Sequence, residues 1–232
     1  MLSPENPADC LKPGEIINSD HDEVIKYARD ILGNEILTDR EKSVKLYLRV
    51  RDDIRYNPYL PFYKPEHYLA DNVIKAGEGF CIPKAALLCA VARASGIPSR
   101  IGFASVKNHL STKQMLEYLG TDIVVYHGFS ELWINEKWVR ATPAFNAELC
   151  LLHKVPPLEF DGVNDSIFHE FNSEQSRYME YVAYHGVYHD VPVDLIVSEW
   201  KKAYGEERVN SWVRIIEGDN EKPDFTKEEI VS

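Results

Sequence analysis

The sequence has few cysteines, no excess of basic charge and no long apolar run, and each shortage closes off a class of protein. Cysteine occurs four times in 232 residues, at Cys10, Cys81, Cys89 and Cys150. With irregular spacing and no C-x-x-C pair, these suit neither a disulfide framework nor a zinc knuckle. Lys and Arg number 26 against 37 Asp and Glu, a net charge of −11, with no basic cluster to offset it locally. A protein that follows a phosphate backbone needs a basic stripe to release counterions, so nucleic acid is not an expected partner. The hydrophobic fraction is 44%, yet no stretch approaches the ~18 to 20 unbroken apolar residues that cross a bilayer, so no membrane partner is expected either. The first ten residues, Met1 to Cys10, lack the basic and apolar regions of a secretory signal. The chain therefore reads as cytoplasmic, where free thiols are inert core residues or chemical groups.

Four segments are distinguishable, and no repeat or low-complexity run interrupts them. Residues 1–18 carry Pro4, Pro7 and Pro13 and read as an irregular lead-in. Residues 19–146 read as the core, 147–220 as a C-terminal extension packed on it, and 221–232 as a solvated tail. Ser19-Asp20-His21-Asp22 resembles a capping box opening a helix over Glu23 to Leu32, and Thr38-Asp39-Arg40-Glu41 resembles a second one. Pro58, Pro61 and Pro65, interleaved with Tyr59, Phe62, Tyr63 and Tyr68, cannot form regular helix and predict a wrap beside a cleft. From Lys84 to Gly96 nearly every position is small or apolar, so this helix is expected to be buried all round. Pro83 suits its first turn, and Gly96 with Pro98 its end.

Strand patterning follows, over Ser99 to Val106, Asp122 to His127, Phe129 to Ile134 and Trp138 to Thr142, the last two joined by an Asn135-Glu136 turn. Helices first and an antiparallel sheet afterwards predict an α+β domain. From about Ser173 to Ala203 the pattern reads as helical again.

Cys81 differs from the other cysteines by its position just before the buried helix, with Gly77 and Gly79 allowing close approach of the backbone. Free N–H groups and the macrodipole at a helix start favour a thiolate and offer donors to an oxyanion. Cys89, in mid-helix, reads as packing. A nucleophile also needs a base and a group that orients the base. His127, in Tyr126-His127-Gly128-Phe129-Ser130-Glu131, is placed to project from the sheet towards the helix start. His185 and His189 form an H-x3-H pair, but Gly186 and the absence of an H-E-x-x-H glutamate make a poor zinc site. No EF-hand loop is present, and no cofactor is expected.

These residues resemble the transglutaminase-like superfamily in its bacterial type. The resemblance is carried by Gly77-Glu78-Gly79-Phe80-Cys81, Arg93 to Arg100, His127-Gly128-Phe129-Ser130-Glu131 and Trp138 to Pro143, with Ile54-Arg55-Tyr56 upstream, over roughly residues 45–146. It implies a papain-like transglutaminase-core fold with N-terminal helices packed on an antiparallel sheet. It also implies a Cys-His-Asp triad that attacks an amide carbonyl through a thioester. The family's Asp falls here at Thr142. With a two-residue hairpin loop, Thr142 opposes Phe129 and lies diagonal to His127. Asn146 has the same parity and is a second candidate if the chain stays extended past Pro143. Asp161 and Asp165 are further possible carboxylate donors, although an Asx-capped turn is their plainer reading. Glu131, ~13 Å along the strand at ~3.3 Å per residue, reads as structural. For the oxyanion the resemblance suggests the Cys81 N–H and Tyr56, otherwise a core aromatic.

The expectation is thus a cysteine-dependent amidase, peptidase or acyltransferase acting on a peptide or protein amide. Cys81 would be the nucleophile, titrating well below ~8.5, and His127 the general base and then acid. Thr142, Asn146 and Tyr56 would support them. The alternative is a catalytically weakened peptide-binding or scaffold module that keeps the fold after losing its Asp.

Overall fold

Thr38 caps the second helix through a reciprocal box, accepting from the Glu41 N–H while the Glu41 carboxylate accepts from the Thr38 N–H. In the computed structural model, which describes residues 6–108, 111–167, 179–218 and 223–228, this helix is α2 (Asp39–Asp53), preceded by α1 (Asp22–Leu32). The first capping expectation is corrected: the cap of α1 is His21, whose Nδ1 accepts from the Glu23 N–H at 3.2 Å, while the Ser19 N–H bonds the Ile17 carbonyl. The proline-rich stretch is irregular as anticipated. It follows a two-residue strand, β1 (Arg55–Tyr56), which pairs in parallel with β2 (Glu78–Gly79) after the short helix α3 (Ala70–Ala76). Gly77 is needed for its φ of +65° at the end of α3, and no neighbouring atom crowds it.

The central helix α4 (Cys81–Ala94) is buried at every position from Cys81 to Arg93. Helices α1, α2 and α3 pack on one side of it, and β3 (Ser99–Asn108) and β4 (Ile123–Ile134) on the other. Lys84 is fully buried in its first turn, and burial pulls its pKa down to about 7. Its Nζ donates to the carbonyls of Arg51 and Ile54, so α4 is fastened to the C-terminal end of α2. Between β3 and β4 lies α5 (Lys113–Leu119), and β5 (Lys137–Ala141) completes the hairpin. Asn135 and Glu136 both adopt positive φ, as a two-residue I′ hairpin loop requires. Ser130 therefore opposes Ala141, and continuing that register by one residue sets Thr142 opposite Phe129.

The sheet is antiparallel with order β5-β4-β3-β6, which bears out the α+β expectation. Its fourth strand corrects the reading of the C-terminal stretch as helix: β6 (Met179–Tyr188) pairs along β3, and helix resumes only at α7 (Val193–Tyr204), after α6 (Ala147–Leu152) and before α8 (Glu206–Glu217). The reason lies in the aromatic and β-branched content of 181–188 and in the free edge of β3. His185 thus lies on a strand and His189 in the turn after it, not on one helical face. His185 Nε2 is 2.8 Å from Ser105 Oγ, and its ring stacks on Tyr126.

Phe168, His169, Phe171 and Tyr178 lie outside the described residues. Of the expected solvated tail, residues 223–228 are described, and Glu228 is buried, its carboxylate accepting from Tyr59 and Thr112 at 2.6 Å each. Among the described residues no helix is long and apolar enough to cross a membrane.

β4 reaches α4 at Gly128, where an added Cβ would stand 2.9 Å from the Ile82 Cα. A larger side chain must push the strand off the start of the helix. Gly128→Val should therefore lower the free energy of unfolding by ~1–3 kcal/mol, read by denaturant titration; an unchanged midpoint would contradict the close approach.

Candidate active site

Cys81 is the first residue of α4, preceded by Phe80 in extended conformation. The parallel pair β1–β2 determines what stands beside it: Tyr56 pairs with Gly79, and the Asn57 N–H donates to the Gly79 carbonyl. Tyr56 is thereby brought to the approach of the cysteine from a distant part of the chain. The backbone N–H groups of Gly128, Ile82 and Cys81 lie near enough to the Cys81 sulfur to act on it electrostatically. They favour a thiolate, but burial outweighs them and pushes the thiol up to about 11. The expectation of a low-pKa thiolate is corrected on this ground: the helix start lies inside the protein, with Cys81 only 5% exposed.

His127 immediately precedes Gly128 and is 4% exposed. Burial pulls its imidazole down to about 3. The resting pair is therefore neutral thiol and neutral imidazole. His127 does not sit between two strands, as the sequence pattern suggested, but within one strand that carries a bulge. Ala104 opposes His127 and Val106 opposes Val124, so Val125 and Tyr126 together face the single residue Ser105. Tyr126 takes φ +56°, strained for a non-glycine residue, directly beside the histidine.

The bulge takes Val125 out of the ladder, and α7 replaces the missing bonds. The Val125 N–H donates to the Tyr204 hydroxyl at 2.7 Å, and the Val125 carbonyl accepts from Trp200 Nε1 at 2.7 Å. Sequence reasoning missed both residues, because nothing in residues 193–204 names β4 as their partner. Trp212 on α8 was missed likewise; its ring stacks on Tyr118 and its Nε1 donates to the Tyr118 carbonyl at the end of α5.

Cys81, His127 and Tyr56 line one cavity, together with Trp200, Tyr204 and Trp212. Thr142 and Asn146 are not part of that lining. Thr142 is 1% exposed, and among the described residues its hydroxyl has no hydrogen-bond partner. The chain does not stay extended past Pro143; it enters α6 at Ala147, and Asn146 Oδ1 accepts from the Tyr56 N–H at 3.1 Å. Asp52 caps α6 in its place, accepting from the Ala147 N–H. Asp161 accepts from Val163 and Asn164 within its own turn, and Asp165 accepts from the Arg140 N–H. Glu131 is buried between Arg100 and Arg140, at 2.6 and 3.3 Å, which is a structural arrangement. Among the described residues no cluster of three or more His, Cys, Asp or Glu side chains could hold a metal ion.

Residues 25–143 match the model of the transglutaminase-like superfamily, and this segment contains Cys81, His127, Tyr56 and Thr142. The chain belongs to the transglutaminase-like superfamily. No curated protein matches it. Among solved structures it is similar to a proposed cysteine protease from Cytophaga hutchinsonii, at 20% identity and a TM-score of 0.44, covering 61% of this chain and 43% of that one. It is also similar to a proposed protease from Parabacteroides distasonis, at 15% identity and a TM-score of 0.39, covering 64% of this chain and 26% of that one. The chain thus spans less than half the length of either. Helices α6, α7 and α8 lie beyond the match.

The buried imidazole has a consequence for stability. Its folded pKa of about 3 lies below the ordinary 6.5, so between those values the unfolded chain binds more protons. The stabilisation is full above pH 6.5 and is lost as pH falls towards 3. The stability of the wild-type protein relative to His127→Gln should fall by roughly 3 kcal/mol between pH 7 and pH 4, measured by denaturant titration. A difference constant over that range would contradict a buried neutral imidazole.

Proposed function

We propose that this protein is a cysteine-dependent acyl-transfer enzyme that opens an amide through a Cys81 thioester. The observation that carries the reading is the shared cavity: Cys81 at the first residue of α4 and His127 beside Gly128 both line it. With thiol and imidazole both neutral at rest, the thiol proton has to be taken up by a general base as the sulfur attacks. The Cys81 sulfur attacks the carbonyl carbon as its proton passes to the His127 imidazole. The imidazolium then protonates the leaving amine, the C–N bond breaks, and a thioester remains. His127 next deprotonates a water or an amine that attacks the thioester, and returns the proton to sulfur. Hydrolysis is the favoured outcome because water is always at hand, so amidase or peptidase is preferred over transfer to an amine, and the substrate is a peptide or protein amide. The Cys81 N–H and Tyr56 serve the oxyanion.

Thr142 is the positioning residue for His127 in this reading. Continuing the β4–β5 register one residue past Ala141 puts it diagonal to the histidine, and its hydroxyl has no hydrogen-bond partner among the described residues, which supports this role. Asn146 supports Tyr56 through the bond to its N–H. A second reading, a peptide-binding module of weakened activity, is favoured by the same Thr142, since a hydroxyl stabilises an imidazolium less than a carboxylate does.

p-Nitrophenyl acetate separates the two readings. The enzyme reading predicts a burst of p-nitrophenolate equimolar with protein and an acetyl adduct on Cys81. The burst should be absent in Cys81→Ala and retained in Cys89→Ala, which should cost only ~1 kcal/mol of stability. A burst that survives Cys81→Ala would overturn the mechanism. Thr142→Val should lower kcat/KM roughly five- to tenfold, as loss of one hydrogen bond of ~1 kcal/mol implies, and move the acid limb of the pH profile to lower pH, while Thr142→Ser restores both. An unaltered profile in Thr142→Val would remove Thr142 from the mechanism.

A further inference from the structure

Among the described residues, 25 line the cavity around Cys81, and none of these is Asp, Glu, Lys or Arg. Its two histidines, His127 and His153, are both held towards the neutral form by burial. Glu228 stands behind Thr112, with its two oxygens bonded to the Thr112 and Tyr59 hydroxyls. Part of this uncharged lining lies outside the superfamily match. The superfamily match ends at residue 143, whereas Leu149, Trp200, Tyr204, Trp212 and Phe225 line the cavity from beyond it. Trp200 and Tyr204 are bonded to the β4 bulge, and Trp212 is stacked on Tyr118, so these rings are held in place without a ligand.

A charged group entering such a site gives up its water and meets no counter-charge among the described lining residues. An alkyl or aromatic group loses nothing comparable and gains contact with aromatic faces. We infer that the acyl donor this site accepts is an amide whose acyl portion is neutral and apolar, aliphatic or aromatic. The inference rests on the thioester reading above and adds the acyl class to it. Anionic and cationic acyl groups of equal length are excluded by the same lining.

Three p-nitrophenyl esters with one leaving group and one chain length test this: hexanoyl, 5-carboxypentanoyl and 6-aminohexanoyl. In each, the C–S bond to Cys81 forms, the C–O bond to p-nitrophenolate breaks, and the thiol proton passes through His127 to solvent. The hexanoyl ester should acylate Cys81 at least a hundredfold faster than either charged ester, read by p-nitrophenolate release and the mass of the Cys81 peptide. Met115→Lys, at a half-buried lining position on α5, should raise the rate of the 5-carboxypentanoyl ester relative to hexanoyl by tenfold or more. Leu119→Arg provides the same test should Met115→Lys not fold. Acylation of Cys81 with less than tenfold preference for hexanoyl overturns the acyl class and leaves the thioester reading intact. Absence of acylation with all three esters, or acylation that survives Cys81→Ala, overturns the thioester reading and the inference with it.

Discussion

Burial of the first turn of α4 is the constraint on which the rest of the structure depends. A helix start ordinarily exposes its free N–H groups to water or to a ligand. Here those of Cys81 and Ile82, with the Gly128 N–H from the facing strand, lie near the sulfur of Cys81 and favour its charged form. The same burial that makes these groups available to the thiol also keeps the thiol protonated and the neighbouring imidazole neutral. A thiolate–imidazolium pair at rest would have to be sustained there without solvent.

The approach of β4 to that helix start is as specific as the helix itself. Gly128 leaves no room for a side chain against Ile82, and the bulge at Val125–Tyr126 turns the strand beside His127. A bulge leaves backbone groups unpaired, and the indole of Trp200 and the hydroxyl of Tyr204 satisfy them. One pair of aromatic residues on α7 therefore holds the distorted strand and walls the cavity. The C-terminal part of the chain is joined to the chemistry by those two bonds, and through Trp212 and Tyr118 it is joined to α5 as well.

The sequence was most informative where signals are local. The Thr38 box, the largely apolar run after Pro83, and the Asn135-Glu136 turn with the register it imposes as far as Ala141 each follow from a few adjacent residues, and each appears in the structure. Non-local features were not legible. Residues 179–188 carry strand-forming side chains, but their partner is the edge of β3, more than seventy residues earlier in the chain. The bulge in β4 is invisible in a run of apolar residues, so the pattern was divided at His127. Helices α5 and α8 also went unread, and with them most of the aromatic wall. The placement of Cys81 at a helix start was correct, yet its electrostatics were misjudged because dipole and N–H groups are local whereas desolvation depends on the whole surrounding fold. Asn146 illustrates the same limit: its parity along an extended chain pointed to His127, and the turn into α6 gave its side chain to Tyr56.

In the proposed mechanism Thr142 stands where a carboxylate would otherwise orient a buried, neutral imidazole. The central claim is that Cys81 is a thiol at rest, held so by burial. It is tested most directly by the ultraviolet absorbance of the thiolate as a function of pH, taken as the difference between the wild-type protein and Cys81→Ala. The account predicts that the difference appears only above the ordinary thiol value of ~8.5, on the way to about 11. A difference half-developed below pH 7 would contradict it.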